Sequence, residues 1–129
     1  MTRSAAAVLT VSLVVASSAW GGTSTHFTLT ATKRCLSTQP MITGVAPTTL
    51  GESGTPAVDI TLRTGNTVLL GYYSSSSVAA TLARQIRAVA KANHYPTTTS
   101  MVHADGNIYV AWRKEPATAE VHAVEGCLR

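Results

Sequence analysis

The sequence predicts one domain of the α+β class: an antiparallel sheet, helices packed on one face of it, and one disulfide. Three observations lead to this prediction. Two segments alternate apolar and polar residues around tight turns, each is followed by a segment with helical periodicity, and two cysteines lie far apart in the chain. The length of 129 residues suits one domain, and a hydrophobic content of 45% is enough to build a core. The expected order is β-α-(β)-β-β-α-β-β-α.

The first 19 residues have the organisation of a secretory signal peptide. Arg3 supplies a positive charge, residues 5–16 form an apolar run, and the small residues Ser17 and Ala19 precede the predicted cleavage after Ala19. An uncleaved membrane anchor is the alternative, although the run is shorter than the roughly 20 residues that a bilayer requires. We therefore expect residues 20–129 to form a domain that is secreted or held in the cell envelope, without a stable membrane span.

Cys35 and Cys127 are the only cysteines. An even number of cysteines in an exported chain favours a disulfide, and a bridge across this distance would constrain the unfolded chain by about 4–5 kcal/mol. Neither cysteine belongs to a CxxC motif or to a Cys/His cluster, so we expect no metal site and no cofactor.

The first half of the mature chain predicts a strand, a short helix and a long loop. Residues 26–31 alternate in polarity and predict a strand, after which Thr32 can cap a short helix over residues 33–39. Residues 41–45 are an optional strand. The stretch 43–56 contains three Gly and two Pro, which predicts a long loop.

The second half is more regular. Residues 57–63 and 67–73 predict a hairpin, and a helix over 78–93 follows a run of serines. Residues 100–104 and 107–113 predict a second hairpin, and a last helix follows Pro116. The Gly-Asn pairs of the two turns coincide at a shift of 41 positions, which suggests a shared ββα construction.

Two groups of residues are candidate binding surfaces. One is a basic stripe on the long helix, for which contact with an anionic envelope polymer competes with an ordinary solvated helix face. The other is the sheet face that the helices leave open, where tyrosine beside arginine is typical of binding surfaces. The stripe consists of Arg84, Arg87 and Lys91, and the face of Arg63, Tyr73 and Tyr109.

The composition favours binding over catalysis. The chain has six carboxylates, no phosphate-binding loop and no serine nucleophile motif, and its formal charge of +4 together with export disfavours nucleic acid. We expect a non-catalytic module that binds an extracellular protein or an anionic envelope polymer. The alternatives are a secreted protease inhibitor that presents the loop 43–56, and a small secreted hydrolase built around His103 and Asp105.

Overall fold

The structure, a computed structural model, describes residues 27–128; the predicted signal peptide of residues 1–19 lies outside the described residues. The described chain is an α+β domain with three helices and a five-stranded antiparallel sheet in the order β1-β2-β3-β5-β4, which confirms the predicted class. The elements are α1 (Leu29–Leu36), β1 (Ile42–Leu50), β2 (Thr55–Leu62), β3 (Thr67–Tyr72), α2 (Ser76–Ala92), β4 (Val102–Asp105), β5 (Ile108–Trp112) and α3 (Thr118–Glu125).

The described chain begins with a helix, so the strand predicted over residues 26–31 is wrong for its described part. Thr28, four residues before the expected cap, caps α1 by accepting a backbone N–H of the first turn at 3.3 Å. Thr32 lies inside the helix, fully buried, and donates its hydroxyl to the Thr28 carbonyl at 2.9 Å. A strand also needs a neighbouring strand, whereas both backbone groups of Phe27 are bonded by the side chain of Asn107.

The long loop predicted over residues 43–56 is also wrong. Strands β1 and β2 occupy most of this stretch and leave only a short turn at residues 51–54. Proline is tolerated in a strand where its nitrogen faces away from the hydrogen-bonded neighbour. Pro47 lies on the edge strand β1, and Pro56 pairs with Thr49 ahead of the β2–β3 ladder. Neither proline therefore interrupts the sheet.

Both predicted hairpins are confirmed, as is the long helix. The turn after β2 contains Gly65 with φ of 94°, and the turn after β4 contains Gly106 with φ of 59°. These left-handed conformations are the ones that glycine adopts at little cost. The helix α2 begins after Ser75, whose hydroxyl accepts the backbone N–H of Val78 at 3.2 Å.

The asparagine after each of these glycines fastens its turn to a distant segment. The side-chain oxygen of Asn66 accepts the N–H of Lys114 at 3.0 Å, and its nitrogen donates to the carbonyl of the same residue at 3.3 Å. Asn107 makes the same pair of bonds to Phe27, at 2.5 and 3.2 Å. Both asparagines are buried. The repeated Gly-Asn pair thus anchors the segments that lead into α3 and α1.

Glu120 completes the anchor beside α3. Its carboxylate accepts hydrogen bonds from the hydroxyl of Thr64, from the N–H of Ala117 at 2.9 Å and from the amide of Asn66 at 3.2 Å. Burial alone would raise the pKa of Glu120, but these bonds, with the charge of Lys114, outweigh it and hold the pKa below its usual value. Glu120 is therefore a buried, charged residue whose hydrogen bonds link the β2–β3 turn to α3.

Helices cover both faces of the sheet. The arrangement on one face that the sequence predicts holds for α1 and α3, while α2 lies on the opposite face. Strands β3 and β4 run parallel on either side of β5, so the connecting helix must cross a sheet face, and the first face is already filled. The core under α1 and α3 includes Leu36, Val58, Ile60, Leu62, Val68, Leu70, Ile108, Val110, Trp112 and Val124.

The predicted disulfide is confirmed. Cys35 in α1 is bonded to Cys127 immediately after α3, with the two Cα atoms 5.4 Å apart. The bridge joins the two helices that share one face of the sheet and closes the described chain from its first element to its last.

Candidate functional site

Helix α2 contacts the sheet through small side chains. Ala79 and Ala83 are its fully buried residues, and they pack with Val102 of β4 and Tyr109 of β5. Small residues allow a helix to approach a sheet closely. On its β4 side, Arg87 donates to the carbonyl of Val102 at 2.7 Å and holds the helix in place.

Three of the four larger aliphatic side chains of α2 are exposed beside this contact, while Leu82 packs against it. Val89 is 59% exposed, Val78 45% and Ile86 38%, while Leu82 is half-buried. We call these four residues the apolar flank of α2. Their helical spacing marks one stripe, and the alanines beside it, together with Leu82, make the contact with the sheet.

The apolar flank faces the part of the sheet that α2 does not cover. Tyr73, which follows β3, lines a depression of about 340 Å³ together with Val78, Leu82 and Gln85. Beyond it, strands β1 to β3 form a surface that we call the open half-sheet. Its residues, half-buried or exposed, are Ala46, Thr48, Asp59, Thr61 and Leu69. We call the apolar flank, the depression and the open half-sheet beside them the α2 groove; its wall is apolar and its floor is largely uncharged.

Gly71 shapes the end of this groove. A Cβ atom at this position would lie 2.6 Å from Cδ1 of Leu50 and 3.2 Å from the ring of Tyr73. The missing side chain therefore lets Leu50 of the edge strand and the ring of Tyr73 close over the end of β3.

The predicted face of Arg63, Tyr73 and Tyr109 is not one surface. Tyr109 is only 7% exposed beneath α2, which corrects the expectation that it points to solvent, and burial followed by the proximity of Tyr73 raises its pKa. Arg63 is exposed, but it lies at the opposite end of the β2–β3 hairpin from Tyr73 and donates to the carbonyl of Pro40 at 2.8 Å. Of the three residues, Tyr73 alone belongs to the groove.

The predicted basic stripe is divided by the packing of α2. Arg87 is half-buried and bonded to β4, whereas Arg84 and Lys91 are exposed on the helix flank away from the apolar one. Arg84 donates to the hydroxyl of Thr81 at 3.2 Å. Two of the three cations therefore remain available to an anionic partner.

The histidine suggested for hydrolysis is tied to α3. His103 Nε2 lies 2.9 Å from Glu125 Oε1, and the other oxygen of this carboxylate accepts the indole N–H of Trp112 at 2.8 Å. The hydrogen bond to Glu125 raises the pKa of His103 despite its burial. Burial, followed by the charge of Glu125, raises the pKa of Asp105. His103 on β4 and Glu125 on α3 lie 22 positions apart in the chain, so no local sequence pattern indicates their pairing.

Within residues 27–128 no group of three or more His, Cys, Asp or Glu residues is placed to hold a metal ion. No helix of this region has the length and apolar character needed to cross a bilayer. Comparison of the chain with protein-family models, with curated proteins and with solved structures returns no match. The case for function therefore rests on the groove itself.

Proposed function

We propose that this chain is an exported, non-catalytic binding module that contacts an extracellular protein through the α2 groove. The observation that carries the proposal is the orientation of α2, which packs on its sheet through its alanines and Leu82 and leaves Val78, Ile86 and Val89 exposed. An amphipathic helix normally buries such a stripe. An unpartnered apolar surface flanked by polar residues is typical of a protein interface.

The chemistry of the groove favours a protein partner over an anionic polymer. Its wall is aliphatic, and burial of that surface provides about 25 cal/mol per Å². The exposed cations Arg84 and Lys91 lie on the other flank of α2, where they support the rim of an interface.

Two structural features favour this proposal over the alternative functions. An inhibitor of proteases presents an exposed loop, but residues 43–56 are mainly strand. A hydrolase needs a histidine nitrogen that reaches its substrate, whereas Nε2 of His103 is hydrogen-bonded to Glu125 and its Nδ1 is buried.

Photo-crosslinking in cells that export the protein tests the proposal. A photoreactive phenylalanine derivative replaces the exposed Gln85 in the groove, and a control replaces the exposed Ala119 on α3. We expect a discrete adduct from position 85, its loss in a chain that also carries Val89→Glu, and none from position 119. Equal yields at both positions, or no adduct at position 85, would refute the proposal.

A further inference from the structure

The open half-sheet has about the width and the length of helix α2 of the same chain. We propose that its occupant is α2 of a second copy, in a twofold dimer whose two α2 helices lie side by side between the two sheets. This inference rests on the proposed function, because it names the partner of the same groove.

The dimensions agree in both directions. Five strands spaced about 4.8 Å apart give a sheet about 24 Å wide, of which a helix about 10–12 Å in diameter covers roughly half. The 17 residues of α2 span about 25 Å. The 8 residues of β2 span about 26 Å. When two such faces are placed against each other, α2 of each protomer therefore fits over the open half-sheet of its partner.

Three residues of the apolar flank, together with Gln85, have the spacing of a helix–helix seam. Val78, Leu82, Gln85 and Val89 follow one another at intervals of four, three and four residues, the spacing of the core positions of a coiled coil. A twofold axis midway between the helices and parallel to them places each position beside its own copy. The valines and the leucine are then shielded from water, and the Gln85 amide meets its counterpart, a polar pair of the kind that fixes register in coiled coils.

The side of α2 that points away from its own sheet also suits this arrangement. Arg84, which donates to the hydroxyl of Thr81, lies at its edge, and the side itself carries small, uncharged residues on which a facing sheet can pack. Those residues are Ser77, Thr81 and Ala88.

The charges of the two surfaces are complementary. Asp59 is an exposed carboxylate in the floor of the open half-sheet, and within residues 27–128 the one ion pair is that of His103 with Glu125. Arg84 of the partner's helix, exposed beside the uncharged side, is the cation that the dimer brings toward it.

The size of the face meets the requirement of a stable dimer. A plane of about 24 by 25 Å is about 600 Å² in each protomer before the relief of the helix is added, near the roughly 800 Å² per partner of a standard interface. Because α2 and the open half-sheet lie on the same face of the same chain, this face is complementary to itself, as a twofold interface requires.

Light scattering coupled to size exclusion tests the dimer on the purified, disulfide-bonded protein. We expect twice the chain mass for the wild type and for the control Ala119→Glu, and the single-chain mass for Val89→Glu. Gln85→Lys, also at an exposed position, repeats the test through like-charge repulsion. Circular dichroism melts establish that each variant is folded. Because the two α2 helices of the dimer run parallel, the cysteines of the Gln85→Cys variant should form a disulfide between the protomers, whereas those of Thr118→Cys on α3 should not.

A single-chain mass for the wild type, a dimer that survives both seam substitutions, or a dimer without a disulfide at position 85 would overturn the inference. If the wild type is a single chain and position 85 nevertheless crosslinks to another protein in the exporting cells, the dimer is wrong and the binding module stands. If position 85 captures nothing, neither a second copy nor another protein, both proposals fail.

Discussion

Asn66 should be one of the most sensitive polar positions of the fold. Its amide accepts the N–H groups of Lys114 and Thr67 at 3.0 and 2.9 Å and donates to the Glu120 carboxylate at 3.2 Å. Each neutral bond contributes about 1 kcal/mol and the bond to the charged group about 1.5–3 kcal/mol. Because Asn66 is only 4% exposed, water cannot replace these partners fully, and Asn66→Ala should reduce the free energy of unfolding by about 3–4 kcal/mol.

Urea unfolding followed by far-ultraviolet circular dichroism measures this loss. Asn93→Ala is the matched control, since the Asn93 side chain is exposed and makes one hydrogen bond, to the Val89 carbonyl at 2.8 Å. Its substitution should cost less than about 1 kcal/mol. Equal losses for the two variants would show that the Asn66 network does not hold α3 to the β2–β3 turn.

Three further outcomes are expected from urea unfolding. Gly71→Ala should cost about 1–2 kcal/mol, because the new Cβ displaces the Leu50 side chain; an unchanged free energy of unfolding would argue against this contact. Tyr109→Ala should cost about 3–5 kcal/mol and Tyr109→Phe less than about 1 kcal/mol, since the ring is buried under α2; a harmless alanine would place Tyr109 on the surface. The raised pKa of His103 means that its protonated form stabilises the fold below about pH 6.5 and that this stabilisation is lost as the pH rises through the folded-state value. The free energy of unfolding should therefore fall as the pH rises above about 6.5 and through the raised folded-state pKa, and Glu125→Gln should flatten that dependence.

The hairpins and α2 could be predicted because their signals are local. Alternation over five to eight residues, a glycine in each turn and a serine before the helix are sufficient. The start of the described chain is different. The apolar residues Phe27 and Leu29 are compatible with a strand and with the start of a helix. The side chain of Asn107, 80 positions from Phe27, bonds the Phe27 backbone and so excludes a strand there.

The strand character of residues 43–56 depends on a neighbour. Prolines and glycines read as a loop when the segment is considered alone, but β2 supplies hydrogen-bond partners along the whole of β1. The composition of a segment cannot report a ladder that forms with another segment.

Only part of the candidate site could be predicted from the sequence. The stripe of Val78, Leu82, Ile86 and Val89 has helical spacing, but spacing is the same for a stripe that meets the core and for one that meets a partner. What separates the two is which side of α2 touches the sheet, and Ala79 and Ala83 decide that through a contact with β4 and β5. The burial of Tyr109 follows from the same contact.

The central claim is that the exposed valines of α2 serve a partner and not the core. The double variant Val78→Thr, Val89→Thr tests it most directly, because threonine keeps the shape and nearly the helix propensity of valine while adding a hydroxyl. At a protein concentration where the chain is single, we predict that its free energy of unfolding changes by less than about 1 kcal/mol, while crosslinking from position 85 falls to the level of position 119. A loss of several kcal/mol with crosslinking unchanged would contradict the account, because the valines would then belong to the core.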